Sequence, residues 1–220
     1  MTKAARRWMV LGLFALLAAP PAAAQPPVAA QPMAGEALVQ ALRQGGFVLY
    51  FRHAATEWSQ QDTVEAAGEW TSCEPDRMRQ LSEEGRQTAE RIGAAMRRLG
   101  IPVARVLSSE YCRTRETALR LGLGPVETTP DIMNMKAASL VGGRDAVIER
   151  ARRRLAEPPA PGTNVVVVGH GNLVQAATGA YPAEAGAVVF RPREGQAPER
   201  VAEIAPAAWA DLAGRPTAPE

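Results

Sequence analysis

Histidine and cysteine are scarce in this chain of 220 residues, two of each. Two histidines cannot make a three-His catalytic zinc site. Two cysteines cannot make a four-cysteine zinc site or a disulfide-dense scaffold. Aromatic residues are 5% of the chain, and no internal repeat is visible. What is abundant is apolar: 46% hydrophobic residues can bury a real core, which excludes wholesale disorder. The length suits one domain with appendages. A formal charge of +2 and a pI near 8.8 point at first to an anionic partner such as nucleic acid.

The N-terminus changes that reading. Lys3, Arg6 and Arg7 precede the apolar run Trp8 to Ala19, and Ala22-Ala23-Ala24 follows before Gln25. This is the pattern of a secretory signal peptide over residues 1–24. The alternative is a membrane anchor, but the apolar run is 12 residues where a spanning helix needs about 20. Without residues 1–24 the chain has 22 Lys+Arg against 23 Asp+Glu, a net charge of −1. The exported chain is then not charged like a nucleic-acid binder. It keeps no stable membrane anchor, and its place is periplasmic or secreted. In an oxidising compartment Cys73 and Cys112, the only pair, are expected to form a disulfide. The alternative is two separated thiols.

Residues 25–35 are rich in Pro, Ala and Gln and read as a flexible leader to a domain over 36–212, with a tail at 213–220. Periodicity predicts helices over 36–44, from Ser82 to Gly100, and over 112–121, 144–156 and 172–179. Apolar runs predict strands over 47–51, 103–107, 164–168, 187–190 and 201–204, with a short one at 126–129; the run at 47–51 and the four valines from Val165 are unbroken. The span 54–80 is a long excursion, and Trp209 and Leu212 in the Ala/Pro-rich end can dock. The arginines Arg150, Arg152, Arg153 and Arg154 read as a solvated helix face rather than a nucleic-acid patch. Alternating strands and helices predict an α/β fold, a three-layer sandwich with a mostly parallel central sheet.

Ligands in such sheets bind at the carboxyl ends of strands. Both histidines fall there: Arg52-His53 after the first strand and Gly169-His170-Gly171 after the valine strand, with Ser108 to Thr114, including Arg113, after the second. A neutral imidazole is a nucleophile near pH 7, and arginine presents a planar fork of donors that matches phosphate oxygens. The set suits phosphoryl transfer to histidine and then to water. It needs no metal or other cofactor, and the chain has neither a P-loop nor a Cys-x5-Arg motif.

These segments resemble the histidine phosphatase superfamily, with its phosphoglycerate mutase-like fold. Tyr50-Phe51-Arg52-His53 with Thr56 is similar to its R-H-G-x-T signature, and Leu81 to Gln87 to its L-T-x-x-G-x-x-Q helix start. Ser109 through Arg113 to Ala118 is similar to its S-x-x-x-R-x-x-x-T-A segment, and Val165 to Gly171 to its strand with G-H-G. The resemblance spans about residues 46–190. It implies His53 as the phosphorylated nucleophile, Arg52 and Arg113 as phosphate ligands, and His170 completing the pocket. Thr56 and Trp58 are the expected further substrate contacts.

Two departures stand out. Ala54 replaces the usual Gly, which a backbone with φ below zero tolerates. Asn134 stands where many relatives carry an acidic Glu, and an amide cannot donate the catalytic proton. Glu184 is the favoured substitute, with Asp131 the other candidate. Trp58 and Trp70 read either as a lid over the substrate or as staples that pack the excursion. The expected activity is hydrolysis of a small phosphomonoester, such as a phosphorylated envelope sugar. The rivals are a mutase of the same fold and a non-catalytic module that binds phosphorylated ligands.

Overall fold

The structure, a computed structural model, describes residues 32–214. The expected signal segment and most of the leader lie outside the described residues.

Six strands form one sheet: β1 (Val48–Arg52), β2 (Val103–Ser108), β3 (Val126–Thr128), β4 (Asn164–Gly169), β5 (Ala187–Arg191) and β6 (Glu199–Ile204), in the order β3-β2-β4-β1-β5-β6. The first four pair parallel, and β5 and β6 pair antiparallel at one edge. The unbroken apolar runs follow from burial on both faces. Leu49, Phe51, Val166 and Val168 belong to the core on one side of the sheet. Val48, Tyr50, Val165 and Val167 belong to the core on the other. Alternate side chains of a strand point to opposite faces, so a strand covered by helices on both sides has no polar position to offer.

The helices are α1 (Gly35–Gln44), α2 (Glu83–Arg98), α3 (Cys112–Leu121), α4 (Arg144–Ala156), α5 (Gly171–Thr178) and α6 (Ala208–Gly214). Residues of α1, α2, α3 and α6 enter the first core, and those of α4 and α5 enter the second. The result is the three-layer arrangement expected. Ser82 caps α2, its hydroxyl accepting the Gly85 N–H at 3.1 Å. A Cβ on Gly85 would stand 2.1 Å from the Ala55 carbonyl oxygen, so only glycine lets α2 start against the chain leaving β1.

Several segments differ from the sequence reading. The stretch after Ala205 is helical, and Trp209 is buried with its ring 6.0 Å from that of Phe51. Docking of these side chains stabilises a helix too short to stand alone. Residues 130–141 hold two 3₁₀ turns, Pro130–Ile132 and Met135–Val141, which bury Ile132, Ala137 and Ala138 without any 3.6-residue repeat. The four arginines of α4 are engaged with neighbours: Arg150 with the Val141 carbonyl, Arg152 with the Ala177 carbonyl, Arg153 with Glu149, and Arg154 with Asp131 and Glu157.

The excursion is packed, not loose. Its outgoing limb runs beside its returning limb, with Glu57 N–H on the Gln80 carbonyl at 3.0 Å and Thr63 N–H on the Arg77 carbonyl at 2.8 Å. Trp70 is buried and donates its indole N–H to Glu110 Oε2 at 2.8 Å. Cys73 is bonded to Cys112, at the start of α3.

Candidate active site

In the strand order, β2, β4 and β1 are neighbours, so their carboxyl ends meet. His53 follows β1, His170 follows β4, and Arg113 lies in the first turn of α3 just beyond β2. They line one cavity of about 230 Å³ together with Arg52. The excursion and the loop before α4 close its rim with Gln60, Gln61, Asp62, Arg79, Asn134 and Lys136. Gly171, Asn172 and Tyr181 complete it.

The two imidazoles are buried with ring centroids 5.7 Å apart. His53 Nδ1 lies 2.9 Å from the Ala54 carbonyl oxygen. A carbonyl only accepts, so Nδ1 carries the proton and Nε2 keeps its lone pair. Burial, reinforced by the nearby Arg113 charge, holds His53 well below the usual imidazole pKa, and the same two causes act on His170. Both rings are therefore neutral at neutral pH.

His170 is fixed from every side. Its backbone N–H donates to Tyr50 Oη at 2.7 Å, and that hydroxyl donates to the His170 carbonyl at 2.9 Å. Asn134 Oδ1 accepts from Lys136 N–H and from Asn172 Nδ2, each at 2.9 Å. Its amide nitrogen is thereby turned toward His170 Nδ1, 3.2 Å away. The ring proton then sits on Nε2, which donates to Ser109 Oγ at 3.0 Å. Asn134 is thus a tautomer-setting partner of His170. The glycines on either side are closely bounded by side chains, Gly169 the more tightly. A Cβ on Gly169 would meet Tyr50 Oη at 2.2 Å, and one on Gly171 would meet Arg52 Cδ at 3.0 Å.

The arginines come with carboxylates. Arg52 Nη2 pairs with Glu184 Oε1 at 3.2 Å, and Arg52 Nη1 donates to the Pro182 carbonyl at 3.3 Å. Arg113 meets Asp62 fork to fork, Nη1 to Oδ1 at 2.9 Å and Nη2 to Oδ2 at 3.0 Å. Asp62 Oδ1 also accepts the Arg79 N–H at 3.1 Å. Buried Nε donors of both Arg79 and Arg113 have no protein partner.

Other expected residues fall elsewhere. Trp58 is 72% exposed and covers the Arg79 guanidinium at 4.7 Å rather than lining the cavity. Thr56 is buried in an isolated bridge to Leu81 and is not in the lining. Glu184 stands at Arg52 but does not line the cavity. Asp131 is turned away from it, held by Arg154 at 2.7 Å and Arg150 at 3.6 Å. Ala54 is buried, with its N–H on Thr117 Oγ1 at 3.1 Å. Among the described residues only Ala185 is a non-glycine with positive φ, so the methyl of Ala54 is free of backbone strain. The lining residues missed from sequence are Gln60, Gln61, Asp62, Arg79, Lys136, Asn172 and Tyr181. Arg79 lies just before the Leu81-Ser82 helix start, which is the one signal that could have found it.

The family model of the histidine phosphatase superfamily (branch 1) matches residues 48–158. No curated protein is a match. Among solved structures, a candidate alpha-ribazole-5'-P phosphatase from Escherichia coli K-12 superposes with a TM-score of 0.51 at 16% identity, covering 71% of this chain and 96% of that one. A candidate phosphohistidine phosphatase SixA from Agrobacterium tumefaciens gives a TM-score of 0.47 at 18% identity, covering 73% of this chain and 98% of that one.

Proposed function

The chain belongs to the histidine phosphatase superfamily, branch 1, and we propose that it is an exported phosphatase that hydrolyses a small phosphomonoester through a phosphohistidine at His53. The observation that carries the reading is the state of His53. Its Nδ1–H is tied to the Ala54 carbonyl, its Nε2 is free, and its environment keeps the ring neutral. It stands among three guanidinium groups, of Arg52, Arg79 and Arg113, that border the same cavity.

In the first step the Nε2 lone pair attacks phosphorus, the ester P–O bond breaks, and the departing oxygen takes a proton. In the second, water attacks the phosphorus, the N–P bond breaks, and phosphate leaves. The arginines carry the charge spread over the equatorial oxygens. His170 stays neutral, with its Nε2–H on Ser109 Oγ, and completes the pocket. Glu184 acts through Arg52, holding its guanidinium at the end of β1.

The leaving group is hydrophilic in this reading. No aliphatic side chain lines the cavity, and the amides of Gln60, Gln61 and Asn172 stand at the wall. Such a wall suits the hydroxyls of a sugar or polyol better than an acyl chain. Export rests on the signal-like N-terminus. No helix of the described residues is long and apolar enough to cross a membrane.

Assay of wild type and His53→Ala on p-nitrophenyl phosphate, with acid-stable and base-stable trapping of labelled phosphate, tests the mechanism. Base-stable label on wild type and its loss in the variant are expected. Equal turnover in both removes the reading.

A further inference from the structure

We propose that Asp62 is the proton donor of the reaction, loaded by the exchange of its arginine partner for the substrate. The proposal rests on the phosphatase reading above. It starts from a gap: the site needs an acid for an alkyl leaving group, and Asn134, Glu184 and Asp131 do not provide one at the cavity. Asp62 is the only carboxylic acid among the residues that line it.

The geometry gives that carboxylate a partner it cannot keep. Arg113 is 2% exposed at its side chain, and both of its terminal nitrogens are spent on Asp62. Its Nε is buried without a partner, and the edge formed by the two terminal nitrogens is occupied by Asp62. A phosphoryl group that grips Arg113 by two parallel bonds on that edge takes the place of Asp62. Asp62 is 13% exposed and sits on the excursion, at the cavity wall, so it stays beside the group that displaced it.

The consequence follows from charge. While Asp62 faces Arg113 its carboxylate has a cation as its partner, and Tyr111 packs on the same guanidinium. Once a phosphate dianion holds Arg113, Asp62 has lost its cation and gained a like charge. Both changes favour the acid form, and it takes a proton from solvent. In the first chemical step that proton passes to the ester oxygen as the P–O bond breaks, leaving Asp62 ionised. In the second, the carboxylate accepts a proton from the water that attacks phosphohistidine. When phosphate leaves, Asp62 returns to solvent the proton it accepted from water, and the fork closes on its carboxylate again.

The test is leaving-group dependence of kcat/KM in Asp62→Asn, which keeps the acceptor for the Arg79 N–H. On an alkyl phosphate such as glycerol phosphate, kcat/KM is expected to fall by about 10²–10⁴. On p-nitrophenyl phosphate, whose leaving group needs no proton, it is expected to fall by less than about tenfold. Asp62→Glu should restore part of the alkyl activity, and Glu184→Gln should lower both substrates alike. A parallel fall on both substrates in Asp62→Asn makes Asp62 a positioning residue for Arg113 and overturns the proposal. No fall on either does the same. Asp62→Ser is the second variant if the first does not fold. Phosphohistidine trapping on wild type with p-nitrophenyl phosphate, whose leaving group needs no acid, separates failure of the acid from failure of the phosphatase reading.

Discussion

Cys73 is bonded to Cys112, the residue immediately before Arg113, with their Cα atoms 5.3 Å apart. The bond fastens the excursion that carries Asp62 and Arg79 to the helix that carries their partner. Trp70 reinforces it through Glu110. The three charged groups at that side of the cavity are therefore registered by one covalent link and one indole hydrogen bond.

Removing the link by reduction, or by Cys73→Ser with Cys112→Ser, should be felt in catalysis before it is felt in the fold. Neither cysteine belongs to a strand or to either core, so the folded state is expected to survive. Closing the loop of 39 residues stabilises the chain by about 4 kcal/mol on the chain-entropy model, an upper figure. The expected result is a raised KM in reductant at temperatures where far-UV circular dichroism is unchanged. Kinetics indifferent to reductant would show that packing alone fixes the excursion.

The two buried imidazoles set a pH dependence of stability. Both have folded-state pKa values well below 6.5, so the unfolded chain binds more protons than the folded one once pH falls below about 6.5. Stability contributed by the neutral rings is complete above that value and is lost as pH falls toward the folded pKa values. The slope approaches about 1.4 kcal/mol per pH unit for each ring. Thermal melts between pH 7 and 5 should show a falling Tm, and His53→Asn should flatten it. Activity should not follow the ordinary imidazole titration, because His53 is already neutral. Its acid limb should instead track loss of the substrate dianion, whose second ionisation lies at about pH 6.

How far the sequence revealed this site depended on where each residue sits. His53, Arg52 and His170 were legible because each ends an unbroken apolar strand, and strands buried on both faces announce themselves. Arg113 was legible because its helix follows directly on the second predicted strand. Asp62 and Arg79 were not, since the excursion has no periodicity, and only pairing across its two limbs brings them to Arg113. Asn134 was read as a missing acid. Its service to His170 depends on Asn172 and the Lys136 N–H fixing the amide, which no local pattern encodes. Trp209 was read as a docking side chain, but the helix around it forms only because Phe51 and the first core receive it.

The Gly-His-Gly turn leads to a substitution with a specific signature. Gly171→Ala places a methyl at 2.9 Å from Tyr181 Cε2 and 3.0 Å from Arg52 Cδ. Both are side chains that can shift, so the fold should tolerate the change, at a cost of about 1–3 kcal/mol for overpacking. Arg52 would move off the Glu184 and Pro182 contacts that aim it. The expected outcome is a loss of about tenfold or more in kcat/KM with a Tm lowered by about 2–12 °C. A larger effect on Tm than on kcat/KM would place the role of Gly171 in packing rather than in aiming Arg52.

Tyr50 offers the sharpest separation of scaffold from chemistry. Its hydroxyl is the sole partner recorded for the His170 N–H and also donates to the His170 carbonyl, both within the buried interior. Burial pushes the phenol far above its ordinary pKa, so it is never ionised in the working range. Tyr50→Phe leaves a buried N–H unpaired and should cost about 1–3 kcal/mol of stability. The ring of His170 keeps its own partners, Asn134 and Ser109, and so the tautomer survives. Stability should therefore fall while the shape of the pH–rate profile is retained. The converse is expected of Asn134→Leu, which removes the partner of Nδ1 and frees the tautomer with the backbone pin intact. If Tyr50→Phe alters the pH profile and Asn134→Leu does not, the backbone pin rather than the amide sets the state of His170.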